Sequence, residues 1–394
     1  MDRYNPRPPE HWPMDRPSPD NGWRPPTGQV VISADDHVIE PPHLWQDRMP
    51  EKYRDSAPKM WYDDTGYHLE IDGRSFDTPG LNSHLVEGRA GMSDQAERMK
   101  DMDMEGVDIG FVFPQKALGI FAMEDKTKMV AAYDVYNEWL ADWCTYDSDR
   151  LFGIGVLPTI FEPEATADYI QKLKDWGFKA MEIPSYPREV RYNSSKMEPM
   201  WQAIEESGIA LSFHIGENLI TGGAGALGTF LLSQFQSFRK LYGLLTFSGL
   251  FDRHPELKVI FTEGGIGWAS TATFDADRLY REFESEMRPQ LAHLPSYYWW
   301  QNCYSTFMDG PTGIREIDYI GADHVMWTFD YPHPESTLGE SRRILKGIYD
   351  ALPEDQANMI AGGTAAKVWK IADVATRVAA KREAQEGAAV AGGD

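Results

Sequence analysis

Residues 30–37 read VVISADDH, and the fold turns on how this stretch is read. It opens on β-branched apolar residues and ends abruptly in two acids and an imidazole. A near-continuous apolar run suits a strand buried on both faces, as in parallel sheets. In parallel α/β folds the chemistry collects at the C-terminal ends of such strands. Seven further runs repeat the pattern: GVDIGFVFP (106–114), RLFGIGVLP (150–158), GFKAMEIPS (177–185), IALSFHIG (209–216), LKVIFTEGG (257–265), NCYSTFMDG (302–310) and VMWTFDYPH (325–333). Between many of them lie segments with apolar residues at helical spacing: 131–144, 164–176, 198–207, 275–287 and 336–352. Strand and helix alternating eight times predict a (β/α)8 TIM barrel. An open doubly wound sheet would want a Gly-rich phosphate turn after an early strand, and the sequence has none there.

Working outward, residues 1–28 form a Pro-rich N-terminal arm, 29–375 the barrel and 376–394 a flexible C-terminal tail, into which an Ala-rich helix end frays. An insertion at 50–95 interrupts the rhythm after strand one. Within it YHLEI-DG-RSF predicts a β-hairpin turning at Asp72-Gly73, placed over the active-site mouth.

The chain has 394 residues, 38 Lys+Arg against 61 Asp+Glu and a net charge of −23. Such a balance excludes a nucleic-acid binder and a protein docking on anionic membranes. Hydrophobic residues at 42% exclude global disorder. Two cysteines, Cys144 and Cys303, exclude a disulfide framework or a thiolate zinc site. No run of about 18 apolar residues predicts a membrane span, and the N-terminus lacks the apolar core of a signal peptide. A cytoplasmic enzyme is expected.

The strand ends nominate the site. Asp35 and His37 are two apart on strand one, so their side chains share a face. His214 ends strand five, Glu263 follows strand six, Asp330 ends strand eight, and Glu182 lies on strand four. Barrel closure brings these to one mouth, where an N/O donor set suits a divalent ion. Zn²⁺ is the first expectation, Mn²⁺ or Fe²⁺ the alternatives, as one ion or two. Asp36 should point away, as a surface or capping residue. His333 at the rim and Trp268 past strand six are expected to contact substrate. His84 in the insertion could close over it, and Glu217 follows His214. His254 and His324 fall before strands six and eight, on the opposite side of the barrel, and read as structural.

At this point the chain resembles a known family. ISADDHVIEPPHLW, RMKDMDMEGVDIGFVFP, YNEWLADWCTYDSDRLFGIGVLP, GFKAMEIPS, FTEGGIGW, TFDYPHPEST and MIAGGTAAKVWKI are similar to the amidohydrolase-related family. The resembling branch contains aminocarboxymuconate-semialdehyde and resorcylate-type decarboxylases, and the match runs over about residues 29 to 373. The resemblance implies a metal-dependent barrel with Asp35 and His37 at the family's strand-one pair, His214 at its strand-five histidine and Asp330 at its strand-eight aspartate. The family often carries a catalytic histidine after strand six; Glu263 stands here instead, as acid/base or as ligand. Asp330, Glu263 and His214 are the expected catalytic residues. The implied function is a metal-dependent hydrolase or nonoxidative decarboxylase acting on a small organic acid, amide or lactone, in a homodimer or larger assembly. Two other readings are a dinuclear Fe/Mn oxygenase on the same barrel and a noncatalytic partner subunit.

Overall fold

The computed structural model describes residues 22–63, 66–76, 90–187, 189–215, 228–229, 232–233, 238–333 and 336–391. The arm up to residue 21, His84 and Glu217 therefore lie outside the described residues. Eight parallel strands form one sheet: β1 (Ile32–Val38), β5 (Ile109–Pro114), β6 (Leu151–Val156), β7 (Ala180–Glu182), β8 (Ala210–His214), β9 (Val259–Thr262), β10 (Cys303–Phe307) and β11 (Val325–Trp327). Three strands, β2 (Lys59–Asp63), β3 (Gly66–Ile71) and β4 (Arg74–Ser75), form a separate antiparallel sheet. The large sheet closes through the chain just beyond β11. Asp330 N–H donates to the Asp35 carbonyl at 2.8 Å, and His37 N–H donates to the Tyr331 carbonyl at 2.6 Å. This is the (β/α)8 barrel expected from the alternation.

Side chains divide by strand parity. Ile32, Ala34, Ile109, Phe111, Ile154, Ala180, Ala210, Ile260 and Met326 fill the interior, and the alternate residues meet the surrounding helices. At the N-terminal end Trp369 plugs the barrel, its ring stacked on Phe111 with centroids 3.7 Å apart. The expected flexible tail at 376–394 is corrected here: Ala372–Ala391 is one helix. Ala375, Val378 and Ala379 are buried against the barrel floor, and Arg382 ion-pairs with Asp108. Alanine is the best helix former, but its small apolar surface gives little of the periodic signal that marks an amphipathic helix.

The Asp72-Gly73 turn is present. Both residues have positive φ, 49° and 74°, as a tight two-residue hairpin requires. Asp72 is tied to the barrel by Lys128 Nζ at 2.5 Å and by the Glu124 N–H at 3.1 Å. β3 packs on the short turn Ala117–Ala122 that follows β5, which sets the hairpin at the C-terminal end of the barrel.

Candidate metal centre

The inward aim of the strand-one pair, Asp35 and His37, depends on an irregularity. Along β1 and β5, Ser33 pairs with Gly110 and Asp36 with Val112, so three steps on β1 face two on β5. Strict alternation from the inward Ile32 and Ala34 would turn Asp36 inward and both neighbours outward. The bulge restarts the alternation, and Asp35 and His37 both point into the barrel. Asp36 does point away, as expected. The expectation that it sits at the surface is wrong: it is fully buried against the buried guanidinium of Arg98, 3.8 Å away. Opposite it, a side chain at Gly110 would place Cβ 2.5 Å from Asp36 Oδ2, so only glycine fits.

At the mouth three carboxylates and three imidazoles alternate in a closed ring. Asp35 Oδ1 lies 3.7 Å from His37 Nε2, which lies 3.5 Å from Asp330 Oδ1. That oxygen is 3.4 Å from His333 Nδ1, itself 3.8 Å from Glu263 Oε1. Glu263 Oε2 is 3.2 Å from His214 Nε2, and His214 returns to Asp35 at 3.5 Å. All six residues are buried.

Neighbouring hydrogen bonds aim the imidazoles. The Nδ1 atoms of His37 and His214 face the carbonyls of Pro114 (3.1 Å) and Ile215 (2.6 Å). A carbonyl only accepts, so each Nδ1 carries the proton and each Nε2 presents a lone pair to the ring. Both Nε2 atoms, and both oxygens of Asp35 and of Asp330, have no hydrogen-bond partner among the described residues. Buried polar atoms left so are costly, unless a cation takes them. The ring spacings match the ~3.4 Å edge of a tetrahedron of donors about 2.1 Å from an ion. In two groups of four residues, ligand atoms all lie within 4.8 Å of one another: Asp35, His37, His214 and Glu263, and His37, Glu263, Asp330 and His333. The donor set fits a divalent metal.

The electrostatics agree. Burial, with the charge of Asp330, raises Asp35 well above the usual carboxylate range and pushes Glu263 up to about 8. Burial and the neighbouring His333 depress His37 to about 3. Burial alone would raise Asp330 too, but His333 and His37 outweigh it and hold it at about 2. Without a cation the centre therefore keeps protons on some of its acids. Glu263 and Asp330 also hold positive φ, 68° and 55°, unusual for non-glycine residues and concentrated at functional sites. The Glu263 N–H is anchored on Thr306 Oγ1 at 2.7 Å.

The other candidates separate. His333 lies in the ring, deeper than the rim position expected, stacked on His37 with centroids 4.2 Å apart. Its Nε2 meets Gln115 Oε1 at 2.9 Å; nothing in the sequence marked Gln115. Glu182 is buried at the end of β7 but belongs to neither group of ligand atoms. Trp268 does not line the mouth. Its indole sits between sheet and helices against outward-facing Phe261, centroids 5.1 Å apart, and donates to the Gly265 carbonyl at 3.0 Å. His254, held between Glu198 and Glu205 at 3.0 Å each, and His324, bonded to the Cys303 carbonyl at 2.9 Å, have structural surroundings.

Comparison with known proteins places this centre in context. Gamma-resorcylate decarboxylase of Rhizobium sp. (strain MTP-10005) is 24% identical over 264 residues, 60% of this chain and 76% of that protein. The crystal structure of 5-carboxyvanillate decarboxylase LigW from Sphingomonas paucimobilis superposes with a TM-score of 0.65 at 22% identity, covering 87% of this chain and 99% of that one. Dihydroxybenzoic acid decarboxylase from Polaromonas sp. JS666, solved with bound manganese and the inhibitor 2-nitroresorcinol, gives a TM-score of 0.64 at 19% identity, covering 87% and 97%. Residues 43–371 match the amidohydrolase family model, and the chain belongs to the amidohydrolase family.

Proposed function

We propose that the chain is a divalent-metal-dependent, nonoxidative decarboxylase of a small hydroxylated aromatic acid. The observation that carries this reading is the buried ring, in which unpartnered donor atoms converge beside Glu263, an acid whose environment favours its protonated form. The decarboxylases among its relatives support loss of CO₂ over hydrolysis. Asp35, His37, His214 and Asp330 would hold the ion. When bound, it supplies a Lewis acid for a carboxylate and an adjacent hydroxyl.

The protein's own groups do the rest. Glu263 holds a proton beside the reacting carbon. As the bond to the carboxylate breaks, its electron pair stays on the ring carbon and the Glu263 proton forms the new C–H bond. Carbon dioxide leaves, and Glu263 regains its proton from solvent. General acids act best with a pKa near the working pH; burial and the charge of Asp330 raise Glu263, and a bound cation would bring it back down from its cation-free value. His333 and Gln115 line the same side and would orient the substrate's polar groups. Zn²⁺ and Mn²⁺ both take this donor set; manganese has the support of the Polaromonas relative. The buried, free Cys144 and Cys303 fit a reducing, cytoplasmic setting, and we read the working form as a homodimer or larger assembly.

The test is CO₂ release, followed by NMR, from 2,6-dihydroxybenzoate, 5-carboxyvanillate and related hydroxybenzoates with protein loaded with Mn²⁺ or Zn²⁺. Turnover of an amide or lactone panel with all hydroxybenzoates untouched would replace decarboxylation by hydrolysis. Glu263→Gln should lower turnover far more than metal occupancy. Equal losses, or two ions per chain, would make Glu263 a ligand.

A further inference from the structure

Three buried side chains outside the ring gather on the β1 bulge. The Ser33 hydroxyl donates to Asp36 Oδ1 at 2.8 Å and accepts the Phe329 N–H at 2.8 Å. The same Asp36 oxygen accepts the Tyr331 N–H at 3.3 Å. Arg98 faces the other Asp36 oxygen, donates to the His37 carbonyl and, through Nε, to the Gly91 carbonyl at 2.9 Å. Its guanidinium stacks on the Tyr331 ring at 4.2 Å. Ser33, Asp36 and Arg98 are all 0% exposed.

These contacts bracket the bulge and tie it to the chain beyond β11. Ser33 opens the extra step and Asp36 closes it. Arg98 holds the carbonyl of His37 just beyond. Phe329 and Tyr331 flank Asp330, so the same atoms fix the spacing between the strand-one pair and the strand-eight aspartate. A strand without the extra residue is free to return to strict alternation, and a one-residue slip sends every side chain to the opposite face.

We infer that Ser33, Asp36 and Arg98 form a clasp that locks the β1 bulge and thereby aims Asp35 and His37 into the metal centre. They are positioning residues and touch neither metal nor substrate. The inference rests on the reading of Asp35 and His37 as metal ligands, and it adds a cause for their orientation. Ser33→Ala removes the hydrogen bond across the bulge. Asp36→Asn keeps the acceptor oxygen for Ser33 and Tyr331, and serves as the conservative rescue. Asp36→Leu/Arg98→Met removes the clasp without leaving a lone buried charge.

Co²⁺ is the probe, its affinity measured by competition with a chromophoric chelator and its ligand field by the visible absorption bands. Ser33→Ala and the double variant should bind Co²⁺ about 10- to 100-fold more weakly, the range seen when partners of metal ligands are removed, with shifted bands. Asp36→Asn should stay within a few-fold of the parent, with its spectrum. Circular dichroism and metal-free melting identify folded variants. If the double variant does not fold, Ser33→Ala decides alone. Parental affinity and spectrum in a folded Ser33→Ala, or loss of its fold altogether, overturns the inference: the clasp then does nothing for the ligands, or serves the barrel as a whole. Asp35→Asn with undiminished Co²⁺ binding would instead overturn the metal reading itself.

Discussion

Removing Glu263 should make the metal-free protein more stable. Its carboxyl is buried and its pKa rises from 4.5 in water to about 8, because burial and the charge of Asp330 disfavour the anion. A raised folded pKa on an acid means the native state binds more protons than the unfolded state between the two values. Stability then falls as pH climbs through that window and levels off above it. At about 1.4 kcal/mol per pH unit, the ceiling of the effect is about 5 kcal/mol, and sharing of protons with Asp35 will lower it. Glu263→Gln keeps the volume and the backbone bond to Thr306 but removes the charge. In EDTA, with denaturant titrations from pH 5 to 9, the variant should match the parent near pH 5 and exceed it by about 2 to 4 kcal/mol at pH 8 to 9. Saturating Mn²⁺ should shrink or reverse the gap, since a cation stabilises the parent's carboxylates. A variant equally or less stable than the parent across the whole metal-free range would refute the argument that the ring is a strained, cation-requiring centre.

Other outcomes follow from the same contacts. His214→Ala and Asp330→Asn should each abolish stoichiometric metal by elemental analysis while circular dichroism stays native; full metal content in either would displace the assigned centre. Trp369→Ala should cost about 3 to 5 kcal/mol in denaturant midpoint analysis, because the ring is 1% exposed and stacked on Phe111; a loss under about 1 kcal/mol would show that the barrel floor closes without it. At the hairpin, burial works against ionised Asp72, but the Lys128 ammonium outweighs it and lowers the Asp72 pKa. That depressed value gives stability present above the unfolded pKa and lost as pH falls through the folded one. Asp72→Asn should therefore cost up to about 1 kcal/mol at pH 7, shrinking as pH falls below the usual carboxylate range; a pH-independent difference would assign the effect to the turn geometry.

The barrel was legible because its signal is redundant. Eight apolar runs of similar length, each closed by polar residues, Gly or Pro, survive the loss of any one boundary. Asp35, His37, His214 and Asp330 were legible because imidazoles and acids at the ends of buried strands have few other reasons to be there. Trp268 failed on direction: it follows β9 at the right depth, but a helix start turns its indole back into the sheet–helix layer. Glu182 belongs to neither group of ligand atoms: parity aims it inward, but it pairs with Ser212, two residues short of His214 on β8. At the C-terminus the Ala-rich helix end was legible, but not its length or its packing on the barrel floor, because alanines pack well without reading as apolar.

Asp36 shows where sequence reading runs out. Its parity within ADDH was read correctly from its neighbours, because the rule of two holds locally. Extended back to Ile32 and Ala34, the same rule gives the opposite answer, and both cannot hold on a regular strand. The conflict was present in the sequence: inward apolar residues at 32 and 34 and inward ligands at 35 and 37 demand one extra residue between them. A bulge is thus deducible from the function of the flanking residues, though not from propensity. Its clasp could not be deduced, because Arg98 lies 61 residues from His37, on a helix, Gln95–Glu105, and no local pattern links the two. A buried arginine is tolerated only where carbonyls, a carboxylate and an aromatic face meet its donors and its plane together. Here the bulge exposes the His37 carbonyl to Nη2 and turns Asp36 outward to face Nη1 at 3.8 Å, so the carbonyl meets one donor and the carboxylate supplies the countercharge.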